Sequence, residues 1–488
     1  MEQEILRLSR VTYKDQNEVI LRDFELNIRK GEIMGLLPLN SYGLSEFLKL
    51  IRFNPPLYYG DVYFMGERVN SWHNMQRNPN RITVIEDAET LIFGQSVLTN
   101  VFVVRGGFRQ WLIHKEMLKE QLIPFLKEAG LDISPDTLIE DLSAYERVIV
   151  EIVKAVVAGH HLIVLREIST VIGENRLQEL YEILRYYSGQ GISFLFISAH
   201  MEEIRGLCKR AALMSNGTIL AVLEGENMKD EIIDQCSRVY IEKVLKWIRT
   251  HPPVSEKREL MAYRGEGSLK NLQIRFYEGE YLVIKPLENR IFETMINSIF
   301  EEGASGSGGI YENGQSVTLM KNRRIALLAE QPDQSMLFPQ MSYTDNLLFT
   351  VDPRISSLWQ RRGLVKSVRQ ELSGMLGSEV FDKRISELTQ WERIELVYAR
   401  VILQKPDIVF CIQPFKGADL FTRLLIWELQ ELLLKKGITV VVLTMNMADT
   451  LSLADRVIEI DEEGEAREIL RKDFGSFSSD TPWSRMFR

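Results

Sequence analysis

Residues 38–45, P-L-N-S-Y-G-L-S, lie between an apolar strand-like run and a helical pattern, where a phosphate-binding loop could sit. The phosphate-binding pattern is G-x-x-x-x-G-K-[ST], in which backbone N–H groups and the lysine contact the phosphates. Gly43 and Ser45 match that pattern, whereas Pro38 replaces the first glycine and Leu44 replaces the lysine. Because proline lacks a backbone donor and leucine carries no charge, the stretch predicts a weakened phosphate site.

The chain repeats itself in the same order at an almost constant spacing. "IRKGEIMGLLP" at 28–38 returns as "FYEGEYLVIKP" at 276–286, and "LSAYERVIVEIVKAVVAGHHLIVL" at 142–165 returns as "LTQWERIELVYARVILQKPDIVFC" at 388–411. Shorter segments around the glycine turns repeat in the same way. The repeats predict a tandem duplication of a unit of roughly 245 residues, which suits a chain of 488 residues.

The predicted domains are 1–245 and 260–488, joined by a linker at 246–259 that carries two prolines and a charge cluster. Each half begins with short alternating runs such as "LRLSRVTY", which predict antiparallel strands. Buried strands such as "HLIVL" then alternate with helical patterns such as "NRLQELYEILRYYS". This order predicts an α/β fold with a largely parallel sheet covered on both faces.

Composition excludes several function classes. Hydrophobic residues make up 45% of the chain and charged residues 26%, which is typical of a globular protein. The net charge of −9 argues against a general nucleic-acid binder. The three cysteines show no paired spacing and no metal motif, and no signal segment or membrane-spanning run is recognisable. We therefore expect a cytoplasmic protein without a metal-ligand cluster and without nucleic acid as a partner.

The order of these segments resembles two ATP-binding cassettes of the ABC class. The phrase ending at 96–100, S-V-L-T-N, and "RIALLAEQPDQSMLFPQMSYTDNLLF" at 324–349 resemble the tandem ATP-binding subunit of carbohydrate importers of the ribose, galactose and xylose kind. The resemblance covers almost the whole chain. It implies two tandem nucleotide-binding domains with a P-loop NTPase-like fold, each with an antiparallel β subdomain and a helical subdomain near 95–150 and 340–390.

The resemblance also implies which residues remain at the nucleotide site and which do not. Glu167 stands at the position of the catalytic carboxylate, but Arg166 replaces the aspartate that organises Mg²⁺. "LSAYE" at 142–146 and "LTQWE" at 388–392 replace the L-S-G-G-Q signature. The vestigial candidates in the first half are a catalytic carboxylate and five nucleotide-binding positions: Glu167, and Tyr13, Asn40, Gly43, Ser45 and Ser143.

Other family positions are also changed. The Q-loop glutamine is Asp87, and the switch histidine is Ala199, with His200 one place along. His200 cannot simply substitute for the missing histidine, because one step along a strand turns the side chain to the opposite face. The second half has Ile412-Gln413 in place of the paired carboxylates and "PLENRIFE" at 286–293 in place of the phosphate loop.

The residues therefore leave two functions open. In the first, the chain is a non-hydrolysing pseudo-ATPase that docks on or regulates a membrane permease, a membrane signalling protein or another ABC subunit, with peripheral contact at the inner face of the membrane. In the second, it is the working ATP-binding subunit of a carbohydrate importer. For the first function, which the missing lysine and aspartate favour, ATP and Mg²⁺ are expected to bind weakly and hydrolysis to be absent or very weak.

Overall fold

The computed structural model describes residues 3–15, 18–70, 80–86, 90–102, 115–172, 176–228, 246, 258–300, 308–317, 322–350, 358–377, 379–447 and 449–476. Asp87 and most of the predicted linker at 246–259 lie outside these residues. The chain divides into two compact units: Met1–Arg238 with Ala418–Leu420, and Val239–Gly417 with Phe421–Arg488.

The elements of the first unit follow the predicted order. Its strands are β1 (Glu4–Asp15), β2 (Glu18–Arg29), β3 (Ile33–Pro38), β4 (Tyr59–Phe64), β5 (Glu67–Arg68), β6 (Ile82–Ile85), β7 (Leu162–Arg166), β8 (Ser193–Ile197), β9 (Arg210–Ser215) and β10 (Thr218–Glu224). Its helices are α1 (Leu44–Phe53), α2 (Val97–Phe102), α3 (Lys115–Glu128), α4 (Ala144–Val157), α5 (Ser169–Ile172), α6 (Leu177–Gly189) and α7 (Met201–Leu207).

Two sheets form this unit. The antiparallel sheet has the order β2-β1-β4-β5, and the second sheet has the order β10-β9-β3-β8-β7-β6. Within the second sheet the five strands from β9 to β6 pair in parallel, while β10 is antiparallel. Every residue of β3 and β8 is buried, as expected for parallel strands covered on both faces.

The second unit repeats this plan. Its strands are β11 (Glu259–Gly265), β12 (Gln273–Tyr277), β13 (Tyr281–Pro286), β14 (Gly308–Glu312), β15 (Gln315–Val317), β16 (Ile325–Leu328), β17 (Ile408–Ile412), β18 (Thr439–Leu443), β19 (Arg456–Ile460) and β20 (Ala466–Leu470). Its helices are α8 (Asn289–Phe300), α9 (Pro332–Ser335), α10 (Tyr343–Leu348), α11 (Leu358–Leu376), α12 (Gln390–Gln404) and α13 (Leu420–Lys435).

The sheet orders match those of the first unit strand for strand. They are β12-β11-β14-β15 and β16-β17-β18-β13-β19-β20. The helices between β6 and β7, and between β16 and β17, form the predicted helical subdomains. The predicted α/β fold, with two tandem ABC-type units that each combine an antiparallel sheet, a mainly parallel sheet and a helical segment, is therefore confirmed. No helix among the described residues is long and apolar enough to cross a bilayer.

A buried glutamate–arginine pair recurs at the start of the central strand in both units. In the first unit, Arg210 Nη1 lies 2.9 Å from Glu32 Oε1, and the two side chains are only 7% and 12% exposed. The Glu32 carboxylate also accepts a 2.7 Å hydrogen bond from the backbone N–H of Arg29. In the second unit, Glu280 pairs with Arg456 at 2.9 Å and accepts from the Tyr277 N–H at 2.7 Å.

We expect the replacement Arg210→Met to lower the free energy of unfolding of the first unit by about 3–5 kcal/mol, because it leaves the Glu32 carboxylate buried without its cation. The double variant Glu32→Gln/Arg210→Met should lose clearly less. Urea-dependent hydrogen exchange at the β3 amides measures the first unit separately from the second.

The control is Lys119→Met, which removes a more exposed pair with Asp136 and should change stability by less than about 1 kcal/mol. If the single and the double variant lost the same free energy of unfolding, the loss would not come from leaving the Glu32 carboxylate without its cation.

Candidate functional site

The parallel sheet of the first unit brings several candidate residues to one edge. Strands β3, β8 and β7 are neighbours and run in the same direction. The segments that follow them, 39–45, 198–200 and the turn at Glu167, therefore leave the sheet at its carboxyl edge. Ligands of open α/β sheets bind outside this edge.

Asn40 is hydrogen-bonded to the turn between β9 and β10. Its Nδ2 donates to Ser215 Oγ at 3.1 Å and to Asn216 Oδ1 at 3.0 Å, and its Oδ1 accepts from the Asn216 N–H at 3.0 Å. The Leu39 N–H donates to the Met214 carbonyl at 2.8 Å. The start of the loop is thus attached to a neighbouring turn of the protein.

Gly43, Leu44 and Ser45 begin helix α1. Gly43 adopts a left-handed conformation with φ of 81°, and a Cβ there would lie 3.0 Å from the Gly217 Cα, so both conformation and space require glycine. Leu44, at the lysine position, is 3% exposed and packs in the core between the two sheets. Ser45 is exposed to solvent.

Two tyrosines lie near this loop. Burial, together with the charges of Asp15 and Glu46, raises the pKa of Tyr13 on β1. The Tyr42 hydroxyl donates to Glu18 Oε1 at 2.8 Å, and burial followed by this hydrogen bond raises the pKa of Tyr42. Both phenols are therefore neutral near pH 7, and Tyr42 holds the loop against the start of β2.

Glu167 follows β7 in a strained backbone conformation. Its φ is +51°, its N–H donates to the Ile197 carbonyl at 2.9 Å, and its Oε1 accepts from the Ala199 N–H at 3.0 Å. The preceding Arg166 Nη1 lies 3.2 Å from Glu86 Oε1, at the end of the neighbouring strand β6. The carboxylate candidate is thus bonded to the switch-position loop, and a guanidinium–carboxylate pair lies beside it.

Ser143 is the N-cap of helix α4. Its Oγ accepts from the Glu146 N–H at 3.2 Å, and its own backbone N–H donates to Glu146 Oε2 at 2.8 Å, which forms a reciprocal capping box. Burial raises the pKa of Tyr145 to about 12, and the Arg176 guanidinium carbon lies 5.5 Å from the centre of its ring. The Ser143 hydroxyl, at the signature position, therefore caps the amino end of α4.

The second unit shows equivalent substitutions. Gln413 has a φ of +41° and donates its N–H to the Leu443 carbonyl at 2.8 Å, the same geometry as Glu167. Thr389 forms a capping box with Glu392 at the start of α12. Lys416 Nζ lies 2.5 Å from Glu330 Oε1. Phe292, at the position of the missing lysine, is buried in the core.

His200 does not lie on a strand, contrary to the strand-based argument from sequence. Strand β8 ends at Ile197, and His200 is the buried N-cap residue of α7, with its N–H donating to Ser198 Oγ at 3.0 Å. The local reason is that Ser198 forms a side-chain turn that ends the strand and starts the helix. Among the described residues, no group of three or more His, Cys, Asp or Glu side chains could hold a metal ion.

Sequence reasoning missed the role of two matched asparagines. Asn100 is 1% exposed, and its side chain accepts from the Ile92 N–H at 2.6 Å and donates to the Ile92 carbonyl at 3.1 Å. Asn346 makes the same pair of bonds to Phe338, at 2.8 and 3.0 Å. The S-V-x-x-N phrase and its counterpart in the second half contain these asparagines, but only the structure identifies their bonding partners.

The chain is similar to ABC proteins along most of its length. The family model described as ABC transporter matches residues 21–169. The galactose/methyl galactoside import ATP-binding protein MglA of Clostridium tetani is 24% identical over 470 residues, which cover 93% of each chain. The ribose import ATP-binding protein RbsA of Caldanaerobacter subterraneus is 22% identical, with 96% of this chain and 97% of that protein covered. The xylose import ATP-binding protein XylG of Moorella thermoacetica is 23% identical, with 95% of both covered. The chain is therefore similar along most of its length to the ATP-binding proteins of ribose, galactose and xylose import, and the ABC transporter family model matches part of its first unit.

Proposed function

We propose that the chain is a non-hydrolysing pseudo-ATPase of the sugar-importer type, which docks on or regulates a membrane permease from the cytoplasmic side. Its two cassettes are proposed at 1–245 and 260–488, with a linker at 246–259. The single observation that carries the proposal is a contrast within each unit. The loops held by Asn100 and Asn346 keep a matched geometry, whereas the positions expected to bind nucleotide are occupied by unsuited side chains.

The phosphate loop supplies too little positive charge for a triphosphate. Leu44 is packed in the core and offers neither charge nor hydrogen bond, and Asn40 already bonds to Ser215 and Asn216. Charge-assisted hydrogen bonds contribute about 1.5–3 kcal/mol each, so the absence of the lysine alone weakens nucleotide binding strongly. Tyr13, Gly43 and Ser45, the other vestigial positions, carry no positive charge and cannot replace the charge-assisted hydrogen bond of the lysine.

The residues also do not fit Mg²⁺. This ion prefers carboxylate and phosphate oxygens. Arg166 stands at the metal-organising position and is paired with Glu86, so a cation occupies the place of a metal-organising carboxylate. In the second unit, the Lys416–Glu330 pair places another cation near the end of β16. We therefore derive no catalytic step through a metal–nucleotide complex.

The residues at the signature positions, at the starts of α4 and α12, likewise form hydrogen bonds within their own helices. Ser143 and Thr389 both close capping boxes at the starts of α4 and α12. Tyr145 and Trp391 place rings where the family has glycine, and the Trp391 Nε1 donates to Thr422 Oγ1 at 3.2 Å. A backbone flanked by these side chains is poorly suited to approach a γ-phosphate closely.

The loops held by the asparagines are the proposed docking surfaces, one in each unit. Ile92 and Phe93 are 49% and 58% exposed in the first unit, and Phe338 is 41% exposed in the second. The Phe338 ring lies 4.7 Å from that of Phe349, centre to centre. Exposed apolar side chains on a rigidly bonded loop are typical of a protein interface. The relatives are named as import ATP-binding proteins, and import requires a membrane permease, which is the partner we propose.

One observation favours the alternative, a working ATP-binding subunit in carbohydrate import. Glu167 keeps both its carboxylate and a defined orientation, through the 3.0 Å bond from the Ala199 N–H. A membrane signalling protein or another ABC subunit would use the same docking loops, and the binding experiment below distinguishes these partners.

We expect no Mg²⁺-dependent ATP hydrolysis above background, with or without a membrane-embedded permease. Phosphoryl transfer depends on positioning and charge stabilisation, and loss of a single stabilising donor commonly lowers the rate a hundredfold or more. The measurement is phosphate release at saturating ATP, with Glu167→Gln as the paired variant. A turnover of about 1 s⁻¹ that Glu167→Gln abolishes would establish the alternative function.

We expect Phe93→Glu and Phe338→Glu each to weaken binding to a sugar-importer permease by tenfold or more, because a charge replaces an apolar contact. A sugar-importer permease embedded in nanodiscs is the binding partner in the assay. Leu220→Glu is the matched control, since Leu220 is 58% exposed on β10 and lies outside both loops.

Binding that is equally sensitive to Leu220→Glu would place the interface elsewhere. Absence of any binding by the wild-type chain to the permease, with binding to a signalling protein or ABC subunit instead, would replace the proposed partner.

A further inference from the structure

A buried glutamate of α4 contacts the start of the first docking loop and is used by no part of the proposed function. The loop runs over residues 90–95 and contains the exposed Ile92 and Phe93. Glu151 is 1% exposed, and its Oε1 accepts a 2.6 Å hydrogen bond from the Thr90 hydroxyl. Its Oε2 is also buried but has no hydrogen-bond partner in the part of the chain that the structure describes. Buried carboxyl oxygens are normally bonded, so this half-satisfied one requires an explanation.

Lys154, one turn further along α4, bonds to the same threonine. Its Nζ donates to the Thr90 carbonyl at 2.9 Å. Side chains three residues apart on a helix are neighbours, so the ammonium could also reach the Glu151 carboxylate. Over the described residues it bonds to the carbonyl and forms no ion pair with Glu151. Lys154 therefore has two alternative partners, and the structure shows one of the two arrangements.

Thr90 leads directly into the exposed part of the loop. Ile92, two residues on, exchanges hydrogen bonds with the buried Asn100. The Gly94 N–H donates to Glu140 Oε2 at 3.0 Å. The loop is thus attached at three places, and the attachment at its start is the one that depends on two ionisable side chains.

The second unit has no such attachment at the equivalent positions. The repeat places Met336 at the position of Thr90 and Val397 at the position of Glu151. Val397 is fully buried, and the Met336 sulfur accepts from the Ala329 N–H at 3.2 Å. An apolar side chain suits this core position, so the fold itself does not require a buried acid there.

Burial is the largest influence on the Glu151 carboxyl. It raises the pKa of Glu151, and the hydrogen bond from Thr90 and the charge of Lys154 oppose it only in part. Burial likewise lowers the pKa of Lys154, against the opposing charge of Glu151. The interior around the two groups therefore disfavours a carboxylate that is not directly paired with the ammonium.

Few other charges face Glu151 from the elements packed on α4. Among these elements, α2, α5 and β6 carry no charged side chain. The charged residues of α3 are exposed apart from Lys119, which has ion pairs of its own. On α4 itself, Arg147 donates to the Leu142 carbonyl at 2.7 Å. Within the described ranges, Lys154 is therefore the cation best placed to meet an ionised Glu151.

We propose that Glu151 controls how firmly the first docking loop is attached to α4. The neutral carboxyl leaves Lys154 on the Thr90 carbonyl, whereas the ionised carboxylate draws Lys154 to itself and releases that carbonyl. A buried carboxylate needs a cation, and Lys154 is within reach on the same helix face. The inference concerns regulation of a surface that the proposed function assigns to a permease, and it rests on that function.

The sign of the effect follows from proton binding. In the attached arrangement Glu151 has a raised pKa, whereas a carboxyl released to water returns toward its ordinary value of 4.5. The proton therefore stabilises the attached arrangement fully below that ordinary value, and this stabilisation is lost as pH rises through the raised pKa. The loop should be held most firmly at acidic pH and become looser toward alkaline pH.

The test is hydrogen exchange of the full chain alone, followed by mass spectrometry of a peptide that covers 90–96. Glu151→Gln is the reference at each pH, because the amide keeps an oxygen for the Thr90 hydroxyl and cannot ionise. We expect the exchange rate of the wild type, divided by that of Glu151→Gln, to rise about fivefold or more between about pH 5 and about pH 8. A ratio that stays constant, or one that falls with pH, would overturn the proposal.

Two further variants separate a switch from a merely structural contact. Glu151→Val introduces the residue of the second unit and should show no pH effect beyond that of Glu151→Gln. Lys154→Met should exchange fast already at acidic pH and change little on further titration, because the carbonyl bond is gone and the carboxyl without its cation resists ionisation. An undiminished pH effect in either variant would show that Glu151 and Lys154 do not form the switch.

The second docking loop is the internal control. Its peptide around Phe338 should show the same wild-type to Glu151→Gln ratio at every pH, since Met336 and Val397 cannot ionise. A matching rise in this peptide would point to loosening of the whole chain and overturn the proposal. Because exchange is measured without a permease, failure of the wild type to bind one would count against the proposed function and not against the switch.

Discussion

In each unit, one buried carboxylate joins the antiparallel sheet to the mainly parallel sheet. Glu32 accepts from the end of β2 through the Arg29 N–H and pairs with Arg210 at the start of β9. Glu280 and Arg456 repeat the arrangement in the second unit. A buried charge is tolerated only when it is paired and hydrogen-bonded. The bonds of Glu32, which directly precedes β3, therefore fix this strand relative to β2 in one sheet and β9 in the other. The register of β3 in turn decides where the loop after it leaves the sheet.

At the carboxyl edge, polar groups that could face a ligand bond instead to the protein. Asn40 bonds to the turn after β9, Ser143 caps α4, and Arg166 pairs with Glu86. Each contact is individually modest. Together they leave few hydrogen-bond donors at the positions where a phosphate group would need several. In the second unit, different residues at the equivalent positions are likewise bonded within the protein.

Much of the fold could be predicted from sequence because strand and helix patterns are local. The buried run of β3 and the helical pattern of α1 follow directly from the order of apolar residues. The Arg166–Glu86 pair could not be predicted, because it depends on the adjacency of β6 and β7 across 80 residues of chain. The role of Asn100 was equally hidden, since its partner is the backbone of Ile92 and leaves no mark in side-chain composition. His200 was misplaced because a side-chain turn at Ser198 ends the strand early.

The leucine at the lysine position connects stability with the proposed loss of nucleotide chemistry. A lysine there would have to leave the core, whereas Leu44 is 3% exposed and packs between the sheets. Burial of a leucine side chain contributes about 1.5–3 kcal/mol, so this residue stabilises α1 against the sheet. Residues that form a binding site often lower the free energy of unfolding. Replacing a phosphate-binding residue with one that packs in the core can therefore raise it. The proposed docking loops are held by Asn100 and Asn346 in the helical segments and not by this edge. A unit can therefore lose its nucleotide residues, become more stable and still present the same apolar loops to a partner.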